Sequence, residues 1–172
     1  TLGRDEVVGI AGQVGEKPPM FPLTVRVRWT PDGRRQTFRY RLARHAWFTP
    51  MLVYNLVANA VVGWRELPET HTVSYEVRVD YGKLGSYRAQ NASSDDGLWP
   101  LLSDVERPIS AMVGNSLGPA AYPSKIDVAV TVREGSNYAP ILALKLDRET
   151  YRPGQTVRGR LTVRPFRQER RE

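Results

Sequence analysis

The chain contains no cysteine. That absence excludes a disulfide framework, thiol catalysis and thiolate metal sites. Histidine occurs only as His45 and His71. They stand far apart in sequence with no third ligand of the usual kind nearby, so neither a metal site nor a cofactor is expected. Lysine is confined to Lys17, Lys83, Lys125 and Lys145, so the basic character rests on arginine. The chain opens on Thr1 and shows no charged-then-apolar leader, which suggests a processed product or the ordered part of something longer.

The 172 residues, 41% of them hydrophobic, suffice for one domain with a packed core, and residues 1–172 read as a single domain. Lys and Arg number 25 against 18 Asp and Glu, giving a net charge of +7. Such a balance suits acidic partners: nucleic acid, anionic lipid or an acidic protein surface.

The longest apolar run extends from Phe48 to Glu66 and predicts one substantial helix over residues 49–65. Thr49 suits its N-cap, Pro50 its first helical position, and Gly63 loosens its far end. Apolar side chains cover most of the circumference and leave Asn55 and Asn59 as a narrow polar stripe, so the helix should be buried against a sheet. At 1.5 Å per residue it spans roughly 25 Å, short of a hydrocarbon core of about 30 Å, which argues against a membrane crossing. The two amides are either satisfied inside the fold or face a crevice that could take a lipid or small ligand.

Most of the remaining chain has the period of strands. Residues 5–14 read as a glycine-interrupted strand; Gly9, Gly12 and Gly15 do not make a phosphate-binding turn, because Pro18 and Pro19 follow where a helix would have to start. Leu23, Val25, Val27 and Trp29 alternate with Arg26 and Arg28, Pro31-Asp32-Gly33 turns the chain, and Phe38, Tyr40 and Leu42 alternate with Arg39 and Arg41. One face of this hairpin is core. The other gathers Arg26, Arg28, Arg39 and Arg41, with Arg34 and Arg35 at the tip and Arg44 after it. That face is either a surface for an acidic partner or a solvated face neutralised by Glu76 and Asp80 of a strand over 71–81. Nucleic acid is not expected, since no aromatic residue interleaves with the arginines as a stacking platform.

Residues 82–86 read as a turn and residues 91–97 as a polar loop; Asn91-Ala92-Ser93 at the start of that loop is formally a glycosylation sequon but a common one. Residues 98–117 read as two short helices broken by Pro100 and Pro108. Strands follow around 125–133, 142–146 and 157–163, as in a sandwich or meander, with a charged tail at 167–172. The fold class is therefore α+β: a β-rich, sandwich-like domain holding one long buried helix.

One catalytic pattern matches by letters. Gly114-Asn115-Ser116-Leu117-Gly118 fits the nucleophile elbow, but that motif needs a strand before it and a histidine after it, whereas here a helix precedes and both histidines lie upstream. A helix end explains it better. Asp95-Asp96 and the pair Glu66 and Glu69 sit where exposure is the ordinary explanation. No catalytic constellation is expected.

Three patches taken together, Gly3-Arg4-Asp5 to Gly15, Met20-Phe21-Pro22-Leu23-Thr24-Val25, and His45-Ala46-Trp47-Phe48-Thr49-Pro50 to Ala60, resemble the region that follows the peptidase domain in bacterial envelope proteins of the SpoIVB-type (S55) serine peptidase family. The family's catalytic serine and histidine lie in the preceding domain, so the resemblance carries over no catalytic residue. It implies an exported, periplasmic, non-catalytic portion. Separately, Leu146 to Gly159 is similar to the entry of Ig-like and macroglobulin-like sandwich domains, so residues 150–172 are either a last sheet strand or the start of a following domain. The expected role is a structural module that docks onto a larger, membrane-bound assembly or touches a membrane surface. The alternative is the processed C-terminal part of an S55-like peptidase, buttressing its catalytic domain.

Overall fold

The computed structural model describes Gly15 and residues 18–163. The expected strand at 5–14 and the charged tail at 167–172 lie outside the described residues. The elements run β1 (Met20–Trp29), β2 (Arg35–Ala43), α1 (Phe48–Val62), β3 (His71–Asp80), a short 3-10 turn at Gly82–Leu84, β4 (Ser86–Ser94), α2 (Trp99–Val113), β5 (Lys125–Glu134), β6 (Ile141–Leu146) and β7 (Gly159–Val163). This is a mixed α+β fold, rich in strand, as the alternation implied.

Five strands form one sheet in the order β2-β1-β5-β3-β4. β5 runs parallel to β1 and antiparallel to β3, and the two hairpins β1–β2 and β3–β4 flank it. The central place suits β5, since Ile126, Val128, Val130 and Val132 are all buried. On one face these four side chains meet Leu23, Val25, Val27 and Trp29 of β1 and Val73, Tyr75, Val77 and Val79 of β3. Helices α1 and α2 cover that face. Leu101, Leu102, Val105, Ile109 and Val113 bury the apolar stripe of α2, each such side chain contributing about 1.5–3 kcal/mol on removal from water.

Three expectations change. First, α1 is buried on one side only: Val53, Val57, Ala60 and Val61 face the core, while Phe48, Met51 and Leu52 are exposed. The helix lies in the outer layer, with nothing stacked above it among the described residues. Second, the helix begins at Phe48, so Thr49 is not its N-cap. The fully buried Thr49 instead uses its Oγ1 to accept from the His45 amide at 2.8 Å and to donate to the Ala43 carbonyl at 3.2 Å, tying the helix start to the end of β2. The first amides of the turn, those of Trp47 and Phe48, donate to His45 Nδ1 at 3.2 and 3.3 Å.

Third, α2 is one helix from Trp99 to Val113 and not two short ones. Pro100 occupies the first turn, where no intrahelical N–H is lost. Pro108 removes one bond from the interior, and the Tyr81 hydroxyl donates to the Pro108 carbonyl at 3.1 Å, pinning that turn to the end of β3. Desolvation raises the Tyr81 hydroxyl to a pKa of about 12, so it stays a donor throughout the ordinary range.

β4 is an unexpected strand: it starts in the turn read at 82–86 and runs into the polar loop read at 91–97, and residues 159–163 pair with β6 in a separate two-stranded sheet. Every residue of β6 is exposed.

Candidate functional site

The parity of the strands decides which side chains share the uncovered face of the five-stranded sheet. Beside the buried odd-numbered residues of β1, Thr24, Arg26 and Arg28 point away from the helices. Register places Arg35, Thr37, Arg39 and Arg41 of β2 on the same face. β5 adds Lys125, Asp127, Ala129, Thr131 and Arg133; β3 adds Thr72, Ser74, Glu76, Arg78 and Asp80; β4 adds Ser86, Arg88, Gln90, Ala92 and Ser94. Cations dominate: Arg26, Arg28, Arg35, Arg39, Arg41, Arg78, Arg88, Lys125 and Arg133 stand against Glu76, Asp80 and Asp127.

Two features of the charge arrangement matter. Arg28 sits directly opposite Arg35, and Arg78 directly opposite Arg88. Directly opposed like charges destabilise a sheet by roughly 0.2–1 kcal/mol each. Neutralisation is also local and sparse. Asp127 lies 3.5 Å from Arg26 and 2.8 Å from Lys125, whereas Arg28, Arg35, Arg39 and Arg41 have no carboxylate within ion-pair distance among the described residues. The expectation that β3 would neutralise the hairpin fails at the level of strand order, because β5 separates β3 from β1.

Near the middle of the face, around the small side chain of Ala129, Arg26, Arg78, Lys125, Glu76 and Asp127 line a shallow polar hollow of about 300 Å³. Its charges are mixed, so it does not single out one small anion. Aromatic residues stay off the face: Phe38 and Tyr40 stack with centroids 6.4 Å apart on the helix side of β2.

Of the seven arginines named from the sequence, the face unites Arg26, Arg28, Arg35, Arg39 and Arg41, while Arg44 lies just past the end of β2. Arg34 belongs elsewhere. Its Nε lies 3.5 Å from Asp32 in the hairpin turn, and its amide donates to Asp32 at 3.1 Å. Sequence reasoning did not find Arg78, Arg88, Lys125 and Arg133 as members of the same face. The outward parity of Arg78, Lys125 and Arg133 was legible, whereas Arg88 lay in a stretch given no strand, and the neighbours of all four follow from strand order alone.

Asn55 and Asn59 are both exposed. Asn55 Nδ2 donates back to the Met51 carbonyl of its own helix at 2.8 Å, and the side chain of Asn59 folds over Gly63. A cleft of about 520 Å³ does open beside α1, but on a different flank, between Trp47, Pro50, Met51 and Tyr54 and the Glu106, Ser110 and Val113 side of α2. Gly114 closes α2, and Ser116 lies in the exposed turn beyond it. His71 is buried, with Nδ1 donating to the Pro68 carbonyl at 2.8 Å; the exposed His45 packs its ring on Phe48. Among the described residues no cluster of three His, Asp or Glu is placed to hold a metal ion. No described helix is long and apolar enough to cross a membrane.

No family model, no curated protein and no solved structure matches the chain.

Proposed function

We propose that this chain is a non-catalytic docking module whose open, arginine-rich sheet face seats on an acidic surface of a larger protein assembly. The observation that carries this reading is the charge pattern of the uncovered face. A sheet that leaves one face in water ordinarily mixes charge signs across strands. Here two arginine pairs are directly opposed and, among the described residues, Arg28, Arg35, Arg39 and Arg41 have no carboxylate within ion-pair distance, an arrangement that costs stability in the free domain and gains it against an acidic partner. Charge complementarity of this kind sets partner choice and association rate. The absence of aromatic side chains among the cations favours an acidic protein surface over nucleic acid.

The bacterial envelope is the proposed setting, and a membrane-bound complex the proposed assembly. That part rests on the resemblance of the 20–25 and 45–60 segments to the portion following the peptidase domain in S55-type envelope proteins.

Purification of the tagged protein from its native source tests the reading. Proteins retained by the unmodified chain should be lost from the Arg39→Glu/Arg41→Glu variant and from the unmodified chain in high salt, while circular dichroism stays unchanged. Retention of the same proteins by the variant would overturn the proposal.

A further inference from the structure

We infer that the free edge of β2 accepts an extended segment of an acidic partner as a sixth strand, one that alternates carboxylates with apolar residues. The inference deepens the docking reading and rests on it: the same arginines take part, but the backbone is what receives the partner.

Backbone hydrogen bonds fix which groups are free. At one end of the β1–β2 hairpin the Trp29 amide donates to the Arg34 carbonyl at 2.8 Å; at the other, the Arg44 amide donates to the Pro19 carbonyl at 3.1 Å. The register between these points is unbroken from Met20↔Ala43 to Arg28↔Arg35. In an antiparallel pair, hydrogen-bonded positions alternate along each strand. The even-numbered residues of β2 therefore bond to β1, and Arg35, Thr37, Arg39 and Arg41 turn their amides and carbonyls outward along an edge that no strand among the described residues occupies.

Edges of this length are normally blunted by proline, a bulge or a covering element. β2 is nine residues long and has neither proline nor bulge. Its guard is charge. The residues that offer free backbone are the ones that place arginine on the open face, so a second copy pairing through the same edge would set arginine rows against each other. An incoming strand with carboxylates at the positions bonded to Arg35, Arg39 and Arg41 meets them side by side. Its intervening residues fall on the other face, beside the half-buried Phe38 and Tyr40, where apolar side chains suit. Backbone bonds supply the affinity of such an added strand, and alternate side chains the selectivity. The opposite edge, β4, carries only Arg88 on the open face and small polar residues around it.

The probe is a nine-residue peptide alternating Glu with Val; its control has the same sequence with N-methyl groups on the glutamate amides, which face β2 and then cannot donate to the ladder. The alternating peptide should bind at least roughly tenfold more tightly than the control. By amide exchange in NMR, Arg35, Thr37, Arg39 and Arg41 should exchange fast in the free protein and be slowed by the peptide, while Gln36, Phe38 and Tyr40 should stay slow throughout. Thr37→Pro removes only an outward amide, so the variant should fold, by circular dichroism, and lose about tenfold in affinity for the alternating peptide. Equal binding of the two peptides, or no added protection at the four odd-numbered amides, would overturn the inference even if Thr37→Pro failed to fold. If both peptides bind equally and Arg39→Glu/Arg41→Glu abolishes that binding, the edge is refuted and the basic face stands. If neither peptide binds and the charge reversal leaves the native partners in place, both readings fail.

Discussion

Arg65 stacks on Trp29: its guanidinium carbon lies 4.9 Å from the centroid of the buried indole. The same guanidinium pairs with Asp32 in the β1–β2 turn, and Trp64 meets Trp29 edge-on at 5.6 Å. The residues just after α1 thus clamp the tip of the arginine hairpin to the helix layer. Arg65→Ala should destabilise the domain by about 1 kcal/mol through lost stacking and packing of the stem, and Arg65→Lys by less, since it keeps the charge but loses the planar surface. Urea denaturation midpoints check both.

Arg28 and Arg35 face each other across the hairpin with no carboxylate within ion-pair distance of either among the described residues. Arg35→Thr should therefore stabilise the isolated domain by a few tenths to about 1 kcal/mol while weakening partner retention. The opposed signs of the two effects mark a functional face; a solvated surface would show the first without the second. Melting curves and the native purification, run on one variant, provide the comparison.

Acid should loosen the fold at three loops. The carboxylates of Asp32, Asp80 and Asp95 accept the amides of Arg34, Gly82 and His71 at 3.1, 2.7 and 2.9 Å. Chiefly because of these backbone bonds, each carboxyl sits below its ordinary 3.8. A lowered folded-state pKa contributes stability that is present above the unfolded value and is lost as pH falls through the folded one. The stability these groups contribute should thus be fully present and constant near neutrality, and be lost as pH falls below about 4. Asp80→Asn and Asp95→Asn should each flatten that decline in a series of denaturation curves.

Thr49 joins β2 to α1 through a buried hydroxyl with two backbone partners. Thr49→Ala strands the Ala43 carbonyl and the His45 amide, and should cost about 2 kcal/mol. Thr49→Ser keeps both bonds and should lose less than half as much, as read by thermal unfolding.

How far the sequence revealed this fold depends on where the decisive contacts lie. The hairpin, β3 and β5 were legible because Leu23 to Trp29, Val73 to Val79 and Ile126 to Val132 alternate strictly, a pattern contained within each strand. β4 was not. Ser86-Tyr87-Arg88-Ala89-Gln90-Asn91-Ala92-Ser93-Ser94 lacks β-branched residues, and as an edge strand it buries no residue fully and only Tyr87, Ala89, Ser93 and Ser94 in part, so its composition is that of a loop. Pro108 suggested a break in α2, but the helix runs through because the Tyr81 hydroxyl and the buried Leu101, Val105 and Ile109 hold both halves. At the candidate site, the outward arginines followed from parity. The pairing of Arg26 with Asp127 did not, since the insertion of β5 between β1 and β3 is a long-range choice that no local pattern encodes.

Photo-cross-linking in the native cell tests the central claim most directly. A photoreactive residue placed singly at Thr24, Thr37 or Thr131 on the open face, and at Asn55, Asn59 or Arg107 on the helix side, reports which surface meets another protein. The basic face predicts that the same partner is captured from the three sheet positions, in yields that fall when Arg39→Glu and Arg41→Glu are added, with little capture from the helix positions. Capture confined to the helix side, or undiminished by the charge reversal, would contradict it.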